Sequence, residues 1–529
     1  MDWKAQLKLV PGVFIPAIVV IGVFLGFGVF FVEQAEQVFN AVQGGIVHYF
    51  GWFYSMSVAF FLLFVVGLFF SPWGRIRLGE DDSEPEYSYF SWFAMLFSAG
   101  MGIGLVFWAV AEPMSYYLAS PTVESGTVEA ASEAMRLTFF HWGVHAWAIY
   151  IVVGLSLAYF SFRKGLPLTI RSAFHPLLGD RIQGPIGHAI DVLAIFGTIF
   201  GVATSLGLGV MQVAAGIDYL FGLGLEDATG LQLGLIAIIT LIATGSVVAG
   251  LDKGIRRLSN FNMIVAVILV LFVFAVGPTV FLLNNWVENS GNYLSTIVQT
   301  TFWNDAWGDG EWHGAWTFFY WGWWIAWSPF VGMFIARVSR GRTIREFIGG
   351  VLLVPVAFTT FWLTTFGNSG LHRELFGAGG IAGVRAEEML FALLQGFPLS
   401  AVTSVLAMIV VVAFFVTSSD SGSLVVDMLA SGGDPHTPTG QRVFWALLEG
   451  AVAGVLLWAG GLGALQAAAI ATGLPFAAVL SVMCFALLKA LRTESMDRGR
   501  IRKVFPARNH DNEGGAGLPI DTAHGGDDA

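Results

Sequence analysis

The 529-residue sequence contains a single cysteine, Cys484, and only 12% of its residues are charged. One thiol excludes a disulfide framework and any cysteine-based metal cluster, and its place inside an apolar run marks it as a packing residue. So little charge, set against 56% hydrophobic residues and a mean hydropathy of +0.71, excludes a soluble globular domain. There is no P-loop, no HExxH and no Ser/His/Asp spacing tied to a strand, so no motif proposes ATP hydrolysis or covalent catalysis. A formal net charge of -11, carried largely by loops and tails, argues against nucleic acid as a partner. No cleavable signal peptide is evident, because the first apolar run is too long and lacks a small-residue cleavage site.

What the chain has instead is long apolar runs. Stretches able to cross roughly 30 Å of hydrocarbon read near 10–31, 52–70, 90–114, 139–162, 188–210, 231–250, 261–283, 316–337, 347–367, 396–417, 441–461 and 463–489. The expected fold class is therefore all-α, an integral membrane protein of about twelve helices. With a cytoplasmic N-terminus, 23 of the 26 Lys and Arg residues fall on the cytoplasmic side, leaving only Arg136, Arg373 and Arg385 outside. That split predicts a multi-pass protein with both termini cytoplasmic. Residues 490–529 begin basic and end rich in Gly and Asp, too polar to fold alone. They read as a topological anchor and disordered tail, with a lipid-sensing arm as the alternative.

Aromatic residues are concentrated at membrane depth. Along the helix expected at 316–337, which holds "WGWWIAWSPF", a step of 100° per residue places Trp316, Trp323 and Trp327 within about 40° of one another, with Trp324 about 60° further round. Most tryptophans in membrane proteins are interfacial. Trp323 to Trp327, however, lie about 7 to 11 residues into their span, near the bilayer middle. In "FHWGVHAWAIY", Trp142, Trp147 and Tyr150 cover an arc of about 140° on another helix. Two such faces could form a box for a quaternary ammonium or sulfonium cation, each ring contributing about 0.5–2 kcal/mol. Bland packing of bulky rings is the competing reading.

The third span carries "SAGMGIGLVFW", with glycines at Gly100, Gly102 and Gly104. Alternating glycines weaken a helix, and an unwound stretch at depth exposes backbone groups that transporters use for carboxylates and sodium. Close helix packing through small residues is the alternative. Thr417, Ser418 and Thr198 add hydroxyls inside apolar spans, suited to an alkali cation, although a lone hydroxyl more often bonds its own helix. His141 and His145 sit four apart without a third ligand, which favours packing or local hydrogen bonding over a metal site. No Asp or Glu is evident deep in the helices that carry the aromatics, which leaves a bound cation to the rings and to the substrate's own opposite charge.

Taken together, "GMGIGLVFWAVAEP", "HWGVHAWAIY", "GTIFGVATSLGLG", "DKGIRRLSNFNM" and "WGWWIAWSPFVGMFIARVSRGRTIREFIGGVLLVP" resemble the betaine/choline/carnitine transporter family over about residues 10–490. The resemblance implies a LeuT-like fold, with two peripheral helices (1–88), two inverted five-helix repeats (89–283 and 284–489) and a cytoplasmic tail (490–529). It implies a homotrimer in the bacterial inner membrane, in contact with membrane lipid. It places the substrate ammonium among Trp142, Trp147, Tyr150 and Trp324, with Trp323 and Trp327 beside the path. The carboxylate end then points at Gly100, Met101, Gly102 and Gly104. One sodium site matches Ser98, Met101, Phe414, Thr417 and Ser418, and a second matches Thr198 and Phe330, where Val202 replaces a second threonine of relatives.

By the same resemblance, proton-coupled choline carriers have Asp where this chain has Gly104, and sodium-independent exchangers carry an Arg near "SNFNM" that is missing here. The expected function is therefore import of a methylated zwitterionic solute, glycine betaine-like, by sodium symport, with no other cofactor and no enzymatic activity. Proton-coupled or sodium-coupled uptake of choline, ectoine or dimethylsulfoniopropionate is the alternative. A channel would need a hydrated pore that the bulky aromatic centre opposes. A membrane-embedded enzyme acting on quaternary amines would need a nucleophile and base, or a metal triad, and neither pattern is visible.

Overall fold

The computed structural model describes residues 7–504 apart from 101, 226, 227, 250–253 and 309, with the backbone alone of 97–100, 249, 254–257 and 497–504. Among the described residues the secondary structure is helical, with one isolated antiparallel bridge from Arg77 to Thr343 and no strand. The chain opens with α1 (Pro11–Phe30) and α2 (Val32–Phe70). Helix α2 has 39 residues. At 1.5 Å per residue it is about 58 Å long, well beyond the hydrocarbon layer. Its first turns are accordingly polar, with Glu33, Gln34, Glu36 and Gln37.

Next come α3 (Tyr89–Gly100), α4 (Ile103–Leu118), α5 (Val128–Trp142) and α6 (Val144–Ala158). The α5–α6 break falls at Gly143, where a Cβ would lie 2.5 Å from both the Phe139 carbonyl and the Tyr293 hydroxyl. Only glycine fits so close an approach. The Val144 N–H donates to the Tyr293 hydroxyl at 3.1 Å, which satisfies one donor at the new helix start. A short α7 (His175–Leu178) leads into α8 (Pro185–Phe221), α9 (Thr229–Ala249), α10 (Gly254–Val276) and the more polar α11 (Thr279–Phe302). Then follow α12 (Glu311–Ala315), α13 (Thr317–Arg337), α14 (Ile344–Leu363), α15 (Ser369–Phe376), α16 (Met389–Leu394), α17 (Ser400–Ala430) and α18 (Thr439–Val504).

Burial separates the centre from the periphery. Of an apolar 18-residue stretch within Val128–Arg163, 94% is buried, and 89% within Pro185–Phe221, against 22% within Pro11–Phe30. Helices α6, α8 and α13 therefore meet at the core. Small residues let their backbones approach, as in other membrane bundles. A Cβ on Gly201 of α8 would lie 3.0 Å from the Trp327 nitrogen of α13, and one on Gly332 would lie 2.5 Å from Val153 of α6.

Nine helices among the described residues are long and apolar enough to cross a membrane, whereas the sequence predicts twelve spans. The shortfall falls on four of the predicted spans. The third span is broken into α3 and α4, each too short alone. The eighth, α13, is rich in indoles and Tyr, which lower its hydropathy although it is buried. The last two run together as α18, bent where Gly460 (φ 176, ψ 16) and Gly461 (φ 55, ψ -133) leave helical geometry. Residues up to Leu487 form one compact body, and those from Leu488 form a second, small one, whose described part is the end of α18. Cys484 is buried, in keeping with a packing role.

Candidate functional site

The glycine stretch does interrupt the third span. Helix α3 ends at Gly100 and α4 begins at Ile103, with Gly102 at its N-cap in an extended conformation (φ -156, ψ 175). Gly104 lies on the first turn of α4 directly under an indole, since a Cβ there would stand 2.2 Å from Trp323 Cη2. Gly102 has more room, its Cβ meeting Trp327 Cη2 at 3.4 Å. Met101 lies outside the described residues, as does the side chain of Ser98.

Opposite the break, α13 meets aromatic residues of α5 (Trp142) and α6 (Trp147, Tyr150), two helices parted at Gly143 rather than the one helix that the sequence predicts. Trp142, Trp147, Tyr150, Trp323, Trp324 and Trp327 all line one cavity with Gly102, Gly104, Ser205 and Thr359. Trp142 and Trp324 meet edge to face at 4.8 Å, Tyr150 stands 6.3 Å from Trp324 and 6.2 Å from Trp327, and Trp147 lies 5.4 Å from Tyr150. The cavity is small, about 30 Å³. The rings thus stand close, and a trimethylammonium group would have to part them slightly.

Hydrogen bonds fix the indoles. Trp324 Nε1 donates to the His141 carbonyl at 2.8 Å, freed where α5 ends, and Trp323 Nε1 donates to the Gly201 carbonyl at 3.4 Å. Trp327 Nε1 and the Tyr150 hydroxyl are buried and have no partner among the described residues, so both can serve a ligand's oxygen atoms. Apolar rings with a few unmatched donors are the usual make-up of a small-molecule site.

Two sequence expectations need correction. Trp316 does not share the aromatic face: it precedes α13 with φ -123 and ψ -71, and its ring packs on Trp108 and Tyr116 at 5.3 and 4.8 Å. The helix starts one residue later than the regular 100° step assumed. The second correction concerns buried acid. Glu112 on α4 is wholly buried, and its carboxylate accepts from Trp142 Nε1 at 2.6 Å and from the Tyr320 hydroxyl at 2.5 Å. It is not on a helix that carries the cavity's rings, but it bonds Trp142 of α5 and Tyr320 of α13.

The candidate cation ligands lie on neighbouring helices. Thr198 on α8 donates to the Ala194 carbonyl at 2.8 Å, and Thr417 on α17 donates to the Ala413 carbonyl at 2.9 Å, each bonding its own helix. Phe414 and Ser418 are buried on α17, which packs along α8. Phe330 is half-buried on α13, its ring 5.4 Å from that of Trp327, and Val202 is fully buried on α8. Among the described residues there is no group of three His, Cys, Asp or Glu fit to hold a metal ion. His141 and His145 are instead hydrogen-bonded to Thr317 and Thr301, at 3.0 and 2.7 Å. A second, more open cavity is lined by Glu36, Gln232, Arg385, Trp458 and Gly460 among others.

Residues 12–496 match the family model described as BCCT, betaine/carnitine/choline family transporter. The chain belongs to the BCCT family. Among its relatives is a glycine betaine transporter of Acinetobacter baylyi, 48% identical over 499 residues that cover 93% of this chain and 75% of that one. Another glycine betaine transporter, of Bacillus subtilis, is 46% identical over 508 residues, covering 95% and 99%. A glycine betaine/proline/choline/ectoine transporter of Vibrio parahaemolyticus is 47% identical over 473 residues, covering 87% and 83%. This BCCT protein is thus a multi-pass membrane transporter and not an enzyme.

Sequence reasoning missed several residues in and behind the candidate site. Ser205 and Thr359 line the cavity from α8 and α14, helices whose apolar patterns gave no sign of it. Tyr320, one turn before Trp324, was overlooked beside its tryptophan neighbours. Glu112 did carry a signal, because an ionisable residue inside an apolar span is a functional candidate by default.

Proposed function

We propose that this protein imports glycine betaine or a closely related methylated zwitterion by sodium symport. The observation that carries this reading is the single cavity in which Trp142, Trp147, Tyr150 and Trp324 face the glycine break between α3 and α4. Rings can hold a quaternary ammonium that offers no hydrogen-bond donor. The N-terminal backbone of α4 is electropositive and suits the carboxylate at the other end. The unmatched Tyr150 and Trp327 donors stand beside it. The names of the Acinetobacter, Bacillus and Vibrio relatives agree with this substrate class.

The reading extends to the coupling ion and the assembly. Sodium would use the Thr417 and Ser418 hydroxyls, the Phe414 carbonyl and the α3 end around Ser98 and Met101, with a second ion near Thr198 and Phe330. We place two inverted repeats at 89–283 and 284–489, after the peripheral helices of 1–88 and before a tail at 490–529, in a LeuT-like arrangement of twelve spans. Both termini are cytoplasmic, in a trimer in the bacterial inner membrane. The test is uptake of radiolabelled glycine betaine into proteoliposomes under an imposed sodium gradient, a proton gradient, or neither. Accumulation only with sodium supports the reading. Accumulation driven by protons alone contradicts the coupling, and no accumulation of any methylated solute contradicts the function.

A further inference from the structure

Glu112 is the hub of the polar contacts behind the aromatic cavity. Oε2 receives both the Trp142 indole N–H and the Tyr320 hydroxyl. Oε1 is 2.9 Å from the Tyr116 hydroxyl and 3.1 Å from His141 Nδ1, and that nitrogen stands 3.0 Å from the same Tyr116 hydroxyl. His141 Nε2 reaches Thr317 Oγ1 at 3.0 Å. The side chain is 0% exposed, and the ion pairs among the described residues give it no Lys or Arg, only His141. An indole N–H can only donate, and two donors on Oε2 fill that oxygen's lone pairs, an arrangement that suits an ionised carboxylate.

This arrangement does two things to Trp142, a ring that lines the cavity. It fixes the indole plane from behind. When ionised, it also sets a negative charge at the ring's edge, in a fully buried position where a field is weakly screened. An indole that donates to a carboxylate gains electron density, which strengthens the attraction of its π system for a cation. The tyrosine hydroxyl of Tyr320 shares the same oxygen, so one carboxylate orders a ring of α5, Trp142, and a ring of α13 together.

We propose that Glu112 is a specificity-determining residue of the aromatic cavity, which positions Trp142 and Tyr320 and, through its charge behind Trp142, favours ligands according to their net positive charge. The proposal rests on the reading that the cavity holds a quaternary ammonium. It predicts that the protein's preference between a cation such as choline, a zwitterion such as glycine betaine and an uncharged isostere is set from α4, outside the rings themselves.

The test is equilibrium binding to the purified full chain at saturating sodium, with radiolabelled choline and glycine betaine, and with displacement by 3,3-dimethylbutanol, the uncharged carbon isostere of choline. Glu112→Gln keeps the size and an acceptor oxygen but removes the charge. It weakens choline binding on the order of tenfold and glycine betaine binding about two- to threefold, and it leaves the isostere unchanged, as expected for a charge acting at short range in a poorly screened interior. An equal loss for all three ligands, the mark of a merely structural role, overturns the proposal, as does an unchanged ratio of choline to betaine. A parent protein that binds neither ammonium compound overturns the cavity reading itself. Should Glu112→Gln fail to fold, Trp142→Phe serves instead, since it keeps a π face but cuts the N–H link. The preference for choline over its isostere then falls severalfold, and an undiminished preference overturns the proposal.

Discussion

Substituting Gly104 by alanine adds one methyl group at the most crowded point of the cavity. The ideal Cβ position is 2.2 Å from Trp323 Cη2 and 3.0 Å from Cζ2, where carbon atoms normally rest near 3.5–4.0 Å. Relief requires the ring to move by more than about 1 Å. Trp323 cannot tilt freely, being stacked on Phe319 at 5.3 Å and on Trp324 at 4.6 Å. Overpacking of this kind costs about 1–3 kcal/mol. If that strain appears in the ligand-binding geometry, affinity falls by roughly 5- to 150-fold.

Gly102→Ala is the internal control, because its Cβ meets Trp327 Cη2 at 3.4 Å, an ordinary contact. It should weaken binding by less than about threefold, under 1 kcal/mol. Shortening the ring in a Gly104→Ala/Trp323→Phe double variant removes the colliding Cη2 and should recover part of the loss, a coupling of about 1 kcal/mol or more. The assay is equilibrium binding of radiolabelled glycine betaine to protein whose melting temperature is recorded alongside. Gly104→Ala with parental affinity, or Gly102→Ala worse than Gly104→Ala, would refute the reasoning.

Three further outcomes follow from the geometry. Trp324→Ala removes a ring of the cavity and the donor to the His141 carbonyl, and should weaken glycine betaine binding by about 1–3 kcal/mol. Trp324→Phe keeps a π face and should cost under about 1 kcal/mol, so equal losses in the two variants would contradict the cation–π assignment. Thr417→Ala and Ser418→Ala should raise the sodium concentration for half-maximal uptake severalfold with little change in substrate requirement at saturating sodium, as expected for oxygen ligands beside a helix break. Unaltered sodium dependence counts against them. Tyr293→Phe leaves the Val144 N–H at the Gly143 break without its acceptor and should cost about 1 kcal/mol of stability, read as a lowered melting temperature, whereas an unchanged melting point would show that the hydroxyl is dispensable there.

Much of the cavity was legible in the sequence because tryptophan spacing at membrane depth and alternating glycines are both local signals. Trp142, Trp147, Tyr150, Trp323, Trp324 and Trp327 do line one space, and the Gly100–Gly104 stretch does break its span. What was not legible depended on contacts between helices. Periodicity ran Trp316 onto the wrong face, because nothing local shows that α13 starts only at Thr317. Glu112 was missed because its partners Trp142, His141 and Tyr320 are 29 to 208 positions away. The polar α11 went unread for a different reason, since it is neither apolar enough for a span nor punctuated like a loop, yet it caps the α5–α6 break through Tyr293. Hydropathy alone also understated α13, where the residues that make the site are those that score poorly.

The central claim is that a methylated ammonium group sits among the rings of α5, α6 and α13. A structure of the protein with glycine betaine and sodium tests it most directly. The account predicts ligand density with its ammonium carbons within about 6 Å of the Trp142, Trp147, Tyr150 and Trp324 ring centres, and its carboxylate toward the Gly102 end of α4. Density confined instead to the open cavity around Glu36 and Arg385, with the ring cavity unchanged and closed, would contradict it.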